Sequence, residues 1–206
     1  MPAAMRVLIA IAAVLLAGTL CAADFELGAQ HLAMMATGDA GDLEIETSRG
    51  FSASGEVFWT DAFSTRAVAA FLNPAAILYP RNPPPDDVDL GTLGLDLYSA
   101  TARWHFAPRS RFSAYAGAGG ALASIGNLDD QFGEDVEIEF EAETAWVVEA
   151  GLRYRFRPRL YLEAGATYMA LDAQSDVRRS NDSRLELPET VGVDPLILSV
   201  GAAWRF

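Results

Sequence analysis

The sequence has no lysine, two histidines (His31 and His105) and one cysteine, Cys21. Cys21 lies in an N-terminal stretch with one positive charge, Arg6, an apolar core Val7–Leu16 and a small-residue end Cys21-Ala22-Ala23. This pattern predicts a secretory signal peptide over residues 1–23, cut before Asp24. The mature chain, 24–206, then holds no cysteine, which excludes disulfides and thiol chemistry. It also lacks any long uninterrupted apolar run, which excludes a spanning helix. Positive charge is scarce: 15 arginines stand against 28 acids, for a net charge of −13. That balance excludes a nucleic-acid partner. Two histidines provide no histidine–serine constellation of the kind lipid hydrolases need. Neither an enzyme nor a catalytic residue is expected, and no cofactor.

What the mature chain does have is alternation. Its last ten residues place Leu198, Val200, Ala202, Trp204 and Phe206 on one face. Ile197, Ser199, Gly201, Ala203 and Arg205 fall on the other. This is the period-2 mark of a strand with different surroundings on its two sides. So apolar a strand would be a poor edge in water, but it fits a closed barrel with that face toward lipid. Eight such segments run roughly over 25–36, 50–59, 64–79, 90–106, 112–126, 136–156, 160–171 and 196–206. Short connections (60–63, 107–111, 157–159) alternate with long ones (37–49, 80–89, 127–135, 172–195). An even strand count with short–long rhythm predicts an all-β fold: an eight-stranded antiparallel up-and-down transmembrane β-barrel over 24–206. It implies a Gram-negative outer membrane, with loops outside, both mature termini periplasmic, and outer-membrane lipid as the surroundings. The closing strand is expected to pair back to the first. Phe206, an aromatic last residue, looks like a signal for barrel-assembly machinery.

The sixth segment holds one register through Val136–Phe156, which would extend to roughly 70 Å. A spanning strand needs only about 9–11 residues, so the excess is expected to project as a hairpin arm unless a bulge or break shortens it. Trp146 and Tyr154–Phe156 would mark the two interfacial girdles. Glu137, Glu139, Glu141 and Glu143 share one face of the arm and form an acidic mouth. The long connections with this arm hold 21 of the 28 acids, whereas the arginines gather near the short turns. Solvated loops explain much of this sorting. The glutamates, with Asp129, Asp130, Glu134 and Asp135, also have the oxygen donors that calcium or magnesium takes. Their spacing matches no defined calcium loop, and no metal site is expected.

Phe106-Ala-Pro-Arg-Ser-Arg-Phe-Ser-Ala-Tyr115-Ala-Gly-Ala-Gly119 has a turn followed by a tyrosine and spaced glycines. With Tyr168-Met-Ala-Leu-Asp172, Asp194-Pro195, Gly201 and Trp204-Arg-Phe206, it resembles the OmpW family of small outer-membrane barrels. The likeness covers about 90–206 well and 24–79 poorly; Ala114 stands where that family usually has proline. The resemblance implies a narrow, partly apolar lumen and passage of small hydrophobic molecules, leaving through the barrel wall.

Opposite the lipid faces, Glu26, Glu56, Arg66, Arg103, Arg153, Glu163 and Arg205 fall toward the short-turn half of the lumen. Unpaired buried charge is costly, so these are expected to pair into a salt-bridged plug. Leu93, Leu95 and Leu97 share the face that later carries Arg103. In that register they give an apolar chamber above the plug; with a bulge before Arg103 they face lipid and Asp96 turns inward. The sequence leaves both readings open. Two functions follow: a barrel that binds or passively passes hydrophobic cargo, or an interaction barrel whose acidic loops meet lipopolysaccharide, divalent cations or other cells.

Overall fold

The computed structural model describes residues 24–36, 43–45, 47–78, 88–92, 94–125, 136–140, 143–179 and 190–206. Thirteen strands occur among them: β1 (Asp24–Ala36), β2 (Leu43–Ile45), β3 (Ser48–Phe58), β4 (Phe63–Leu72), β5 (Ala75–Leu78), β6 (Val88–Thr92), β7 (Leu95–Phe106), β8 (Phe112–Ile125), β9 (Val136–Phe140), β10 (Glu143–Arg155), β11 (Leu160–Arg179), β12 (Thr190–Val193) and β13 (Pro195–Arg205). Eight of them close a ring in the order β1-β3-β4-β7-β8-β10-β11-β13, and β13 pairs back onto β1. Every pairing is antiparallel. Closure satisfies the backbone of each ring strand on both sides, which a strand in lipid requires.

The stagger of the ring follows from its registers. A path from Glu143 runs through Ala123, Leu97, Ala70, Ser52, Gln30, Gly201 and Glu163, and returns to β10 at Arg153. The displacement is 153 − 143, or ten residues. With eight strands this corresponds to a tilt of about 40° and an interior that side chains can fill. Three short turns share one end of the barrel with Asp24 and Phe206. At that end Thr60 Oγ1 accepts from the amides of Ala62 and Phe63, at 3.3 and 3.0 Å. Ala107 turns with φ 50°, and Ser110 N donates back to its carbonyl at 2.9 Å. Phe206 N donates to Phe25 O at 2.8 Å, extending the β1–β13 seam to the last residue.

Alternation sorts the two faces. Outside, Leu27, Phe51, Trp104, Phe112, Trp146, Val148, Leu152, Leu198, Val200 and Trp204 are exposed. Trp59, Phe63, Trp104, Phe106, Phe112, Phe156, Trp204 and Phe206 gather near the short turns. Trp146 and Tyr168 lie on neighbouring strands toward the other end. His31 also faces outward, between Phe51 and Val200 in the ladders.

Several sequence expectations need correction at the long-connection end. The third segment breaks at Asn73–Pro74; β5 then leaves the ring and joins β2 and β6 in a separate three-stranded sheet. Proline there has no amide to continue the ladder. The fourth segment likewise divides into β6 and β7. The single register expected for 136–156 does not hold. Phe140 pairs with Ser175 and Trp146 with Ala170, so six steps along one strand oppose five along the other. One extra residue of this kind is a bulge-type slip. The seventh strand does not stop near 171: β11 runs to Arg179, carrying β9 on one edge and β12 on the other. The signal peptide, Leu93 and Glu141 lie outside the described residues, as do the side chains of Glu137, Glu139 and Glu143.

Candidate functional site in the barrel lumen

The inward face of the short-turn half is polar, and its charges meet across the ring. On β7, Arg103 is fully buried. Its Nη2 and Nε donate to Glu149 Oε2 and Oε1 of β10 at 2.6 and 2.8 Å, a bidentate pair. Its Nη1 reaches Glu56 Oε2 of β3 at 3.3 Å, and its guanidinium lies 4.0 Å from the Tyr115 ring centre. The Thr101 hydroxyl also donates to Glu149 Oε1. On β10, Arg153 Nη2 donates to both oxygens of Glu26, at 2.5 and 2.7 Å, and its Nε lies 2.8 Å from Glu163 Oε1. Arg205 Nε donates to Glu26 Oε2 at 3.3 Å, and its guanidinium stacks 3.9 Å from the Phe58 ring centre. Gln30 Nε2 donates to Glu163 Oε2 at 3.1 Å.

Four carboxylates (Glu26, Glu56, Glu149, Glu163) thus face four guanidiniums (Arg66, Arg103, Arg153, Arg205). Carboxylate oxygens of Glu26, Glu56 and Glu163 lie within 4.8 Å of one another, spacing that could suit a cation. Each of the three already has a guanidinium beside it, so the donor set is neutralised by the chain itself. Small residues make the crowding possible. A Cβ on inward-facing Gly117 would sit 3.1 Å from both Arg103 Cγ and Glu149 Oε1, and one on Gly151 would run into the Tyr115 hydroxyl.

All seven charged residues that the sequence places in this half face the lumen; Arg205 is the most open, with its side chain 24 % exposed. Sequence reasoning missed Glu149, although it shares the odd-numbered face of the sixth segment with Arg153. It also missed that Ser64, His105 and Glu56 meet. Ser64 Oγ lies 2.8 Å from His105 Nε2 and donates to Glu56 Oε1 at 2.5 Å, while His105 Nε2 is 3.0 Å from that same oxygen. Serine and carboxylate here contact one ring nitrogen. A nucleophile–base–acid relay needs them on opposite nitrogens, so this trio reads as packing within the ionic layer.

Above that layer the lumen turns apolar. Leu95 and Leu97 are buried and pack with Leu32, Met34, Leu72, Val147, Met169 and Ile197. Alternate residues from Leu95 to His105 are all buried, so β7 keeps one register and the outward alternative is not adopted. Between the tiers lies a cavity of about 40 Å³, with Leu97, Val147 and Ile197 on its apolar side and Ser52, Arg66 and Thr101 on its polar side. A second cavity of about 190 Å³ opens at the short-turn end beside His105, Arg109, Arg153, Arg155, Tyr161 and Arg205.

Comparison with known proteins agrees with this architecture. OprG from Pseudomonas aeruginosa superposes with a TM-score of 0.68 at 13% identity, over 90% of this chain and 96% of that one. Neisserial surface protein A gives 0.59 at 20% identity, over 88% and 97%. E. coli outer membrane protein W gives 0.54 at 17% identity, over 90% and 98%. At such identities the likeness is one of fold. No curated protein matches the sequence. The family model described as outer membrane protein beta-barrel domain matches residues 10–206. The closed eight-stranded ring with its apolar outer belt accords with that match, and the chain belongs to the outer-membrane β-barrel domain family.

Proposed function

We propose that this barrel binds and passively passes small hydrophobic molecules, and that the ionic layer turns them sideways into the membrane. The observation that carries this reading is the two-tier lumen: an apolar tier at the long-connection end above a charge-balanced layer. Hydrophobic cargo gains by entering the first and loses by entering the second, where apolar groups would separate bonded charges. The resemblance to the OmpW family points the same way. In this reading residues 1–23 are a cleaved signal peptide, the short turns and both mature termini are periplasmic, and the long connections face outward beside lipopolysaccharide. Phe206 serves barrel-assembly machinery.

The test uses vesicles with lipopolysaccharide in the outer leaflet and a hydrophobic fluorescent probe. Protein-containing vesicles take up the probe faster than empty ones, and Leu95→Asp assembles but loses the gain. A second reading, an interaction barrel acting through its outer connections, is favoured by the extension of β11 past the ring with β9 and β12 on its edges. Uptake equal to that of empty vesicles, with amide protection of β11 beyond residue 171 falling on removal of divalent cations, selects the second reading.

A further inference from the structure

Arg66 is engaged differently from the other luminal arginines. Arg103, Arg153 and Arg205 each place a nitrogen within 3.3 Å of a carboxylate. Among the described residues, the nearest carboxylate oxygen to Arg66 is Glu163 Oε2, at 3.7 Å from Nη1, and its one hydrogen bond runs from Nη2 to Ser54 Oγ at 3.0 Å. Among the described residues, four buried side-chain atoms lack a hydrogen-bond partner: Ser52 Oγ, Arg66 Nε, Arg153 Nε and Glu163 Oε1. The last two face each other at 2.8 Å as an ion pair. Ser52 and Arg66 remain, on the adjacent strands β3 and β4, and both line the cavity between the tiers. Each is only 3 % exposed.

A buried guanidinium with a free N–H is costly, and the group that satisfies it best is an anionic acceptor. Leu97, Val147 and Ile197 in the cavity wall offer nothing polar, and Gln30, Ser99, Thr101, Thr167 and Ser199 offer only neutral groups. Glu149 also borders the cavity, but Arg103 and Thr101 hold its oxygens and offset its charge. We infer that Arg66 and Ser52 form a head-group site for a carboxylate-bearing amphiphile, a medium-chain fatty acid in chemical class, whose tail lies in the apolar tier. Met34 and Met169 in that tier have unbranched, adaptable side chains that can repack around a tail. The cavity of about 40 Å³ is of head-group size, so the tail must displace side chains above it. The inference rests on the hydrophobic-passage reading and narrows it: the preferred cargo is apolar with one anionic end.

The experiment measures binding of decanoate and of decanol to the full barrel in zwitterionic nanodiscs, with empty nanodiscs subtracted. Binding is read by titration and by the ¹⁵N resonance of Arg66 Nε, which Arg66→Gln removes and so assigns. Decanoate binds about tenfold more tightly than decanol, the scale of one charge-assisted contact. It shifts the Arg66 Nε–H resonance. In Arg66→Gln, and more weakly in Ser52→Ala, the ratio falls toward one, while the exposed turn variant Arg157→Gln keeps it. Heat-modified gel mobility checks that each variant is folded, and Ser52→Ala serves if Arg66→Gln is not. Equal binding of both probes, or a decanoate preference undiminished in Arg66→Gln or in Ser52→Ala, overturns this inference and leaves hydrophobic passage standing. Binding of neither probe overturns both.

Discussion

Arg103 carries the densest set of contacts in the lumen, with Glu149 bidentate, Glu56 beyond and Tyr115 beneath. Its value lies less in net attraction than in what its loss would leave behind. Arg103→Met strands two buried carboxylates and should destabilise the barrel by about 3–5 kcal/mol. Urea titration in lipid vesicles measures this. Adding Glu149→Leu should recover part of the loss, because the second change removes a charge that the first left unpaired. A cost equal to the sum of the two single variants would show that the pair does not act as a unit. The same crowding explains the glycine at the inward-facing position 117 of β8. The spaced glycines after Tyr115 are legible as a pattern, but what Gly117 makes room for is visible only once Arg103 and Glu149 are seen side by side.

Along each element, alternation decides which solvent a residue meets. Ala150 stands mid-strand on β10, exposed on the outer face between Ala116 and Ala166 of its neighbours. Ala150→Arg should cost about 2–4 kcal/mol of folding free energy in vesicles, the cost of a charge on the lipid face near the bilayer midplane. An unchanged midpoint would move Ala150 out of the apolar belt. Elements were harder to read at their outer ends. The sixth segment keeps one apolar–acidic alternation in sequence, yet its pairing with β11 slips by one residue. Such a slip depends on the partner strand, and β11 continues through Asp172–Arg179, where polar composition suggests a connection. Backbone pairing with β9 and β12 overrides that composition.

As a whole, the molecule is a closed ring around two tiers of opposite character. The ionic tier joins β1, β3, β7, β10, β11 and β13, so it braces the ring as well as filling it. Single-channel recording should find little ion current through the intact barrel. Arg103→Ser with Glu149→Ser removes a bonded pair without changing net charge and should raise that current. Current unchanged by this double variant would place the constriction in the apolar tier instead.

Period-2 alternation, short–long connections and export-type composition were enough to read an eight-stranded barrel from the chain, because lipid forces closure and two-faced strands on any sequence that spans it this way. The same alternation put seven charged residues on the inner face, since side-chain direction is local to a strand. Which of them touch is not local. Arg153 meets Glu26, 127 positions away, and Arg103 meets Glu149, 46 away, through a ten-residue stagger that no single segment encodes. The register of Leu95 and Leu97 was open for the same reason: a strand alone permits a bulge, and its paired neighbours exclude it. The loose engagement of Arg66 is a tertiary fact too, left by the other acids finding closer partners.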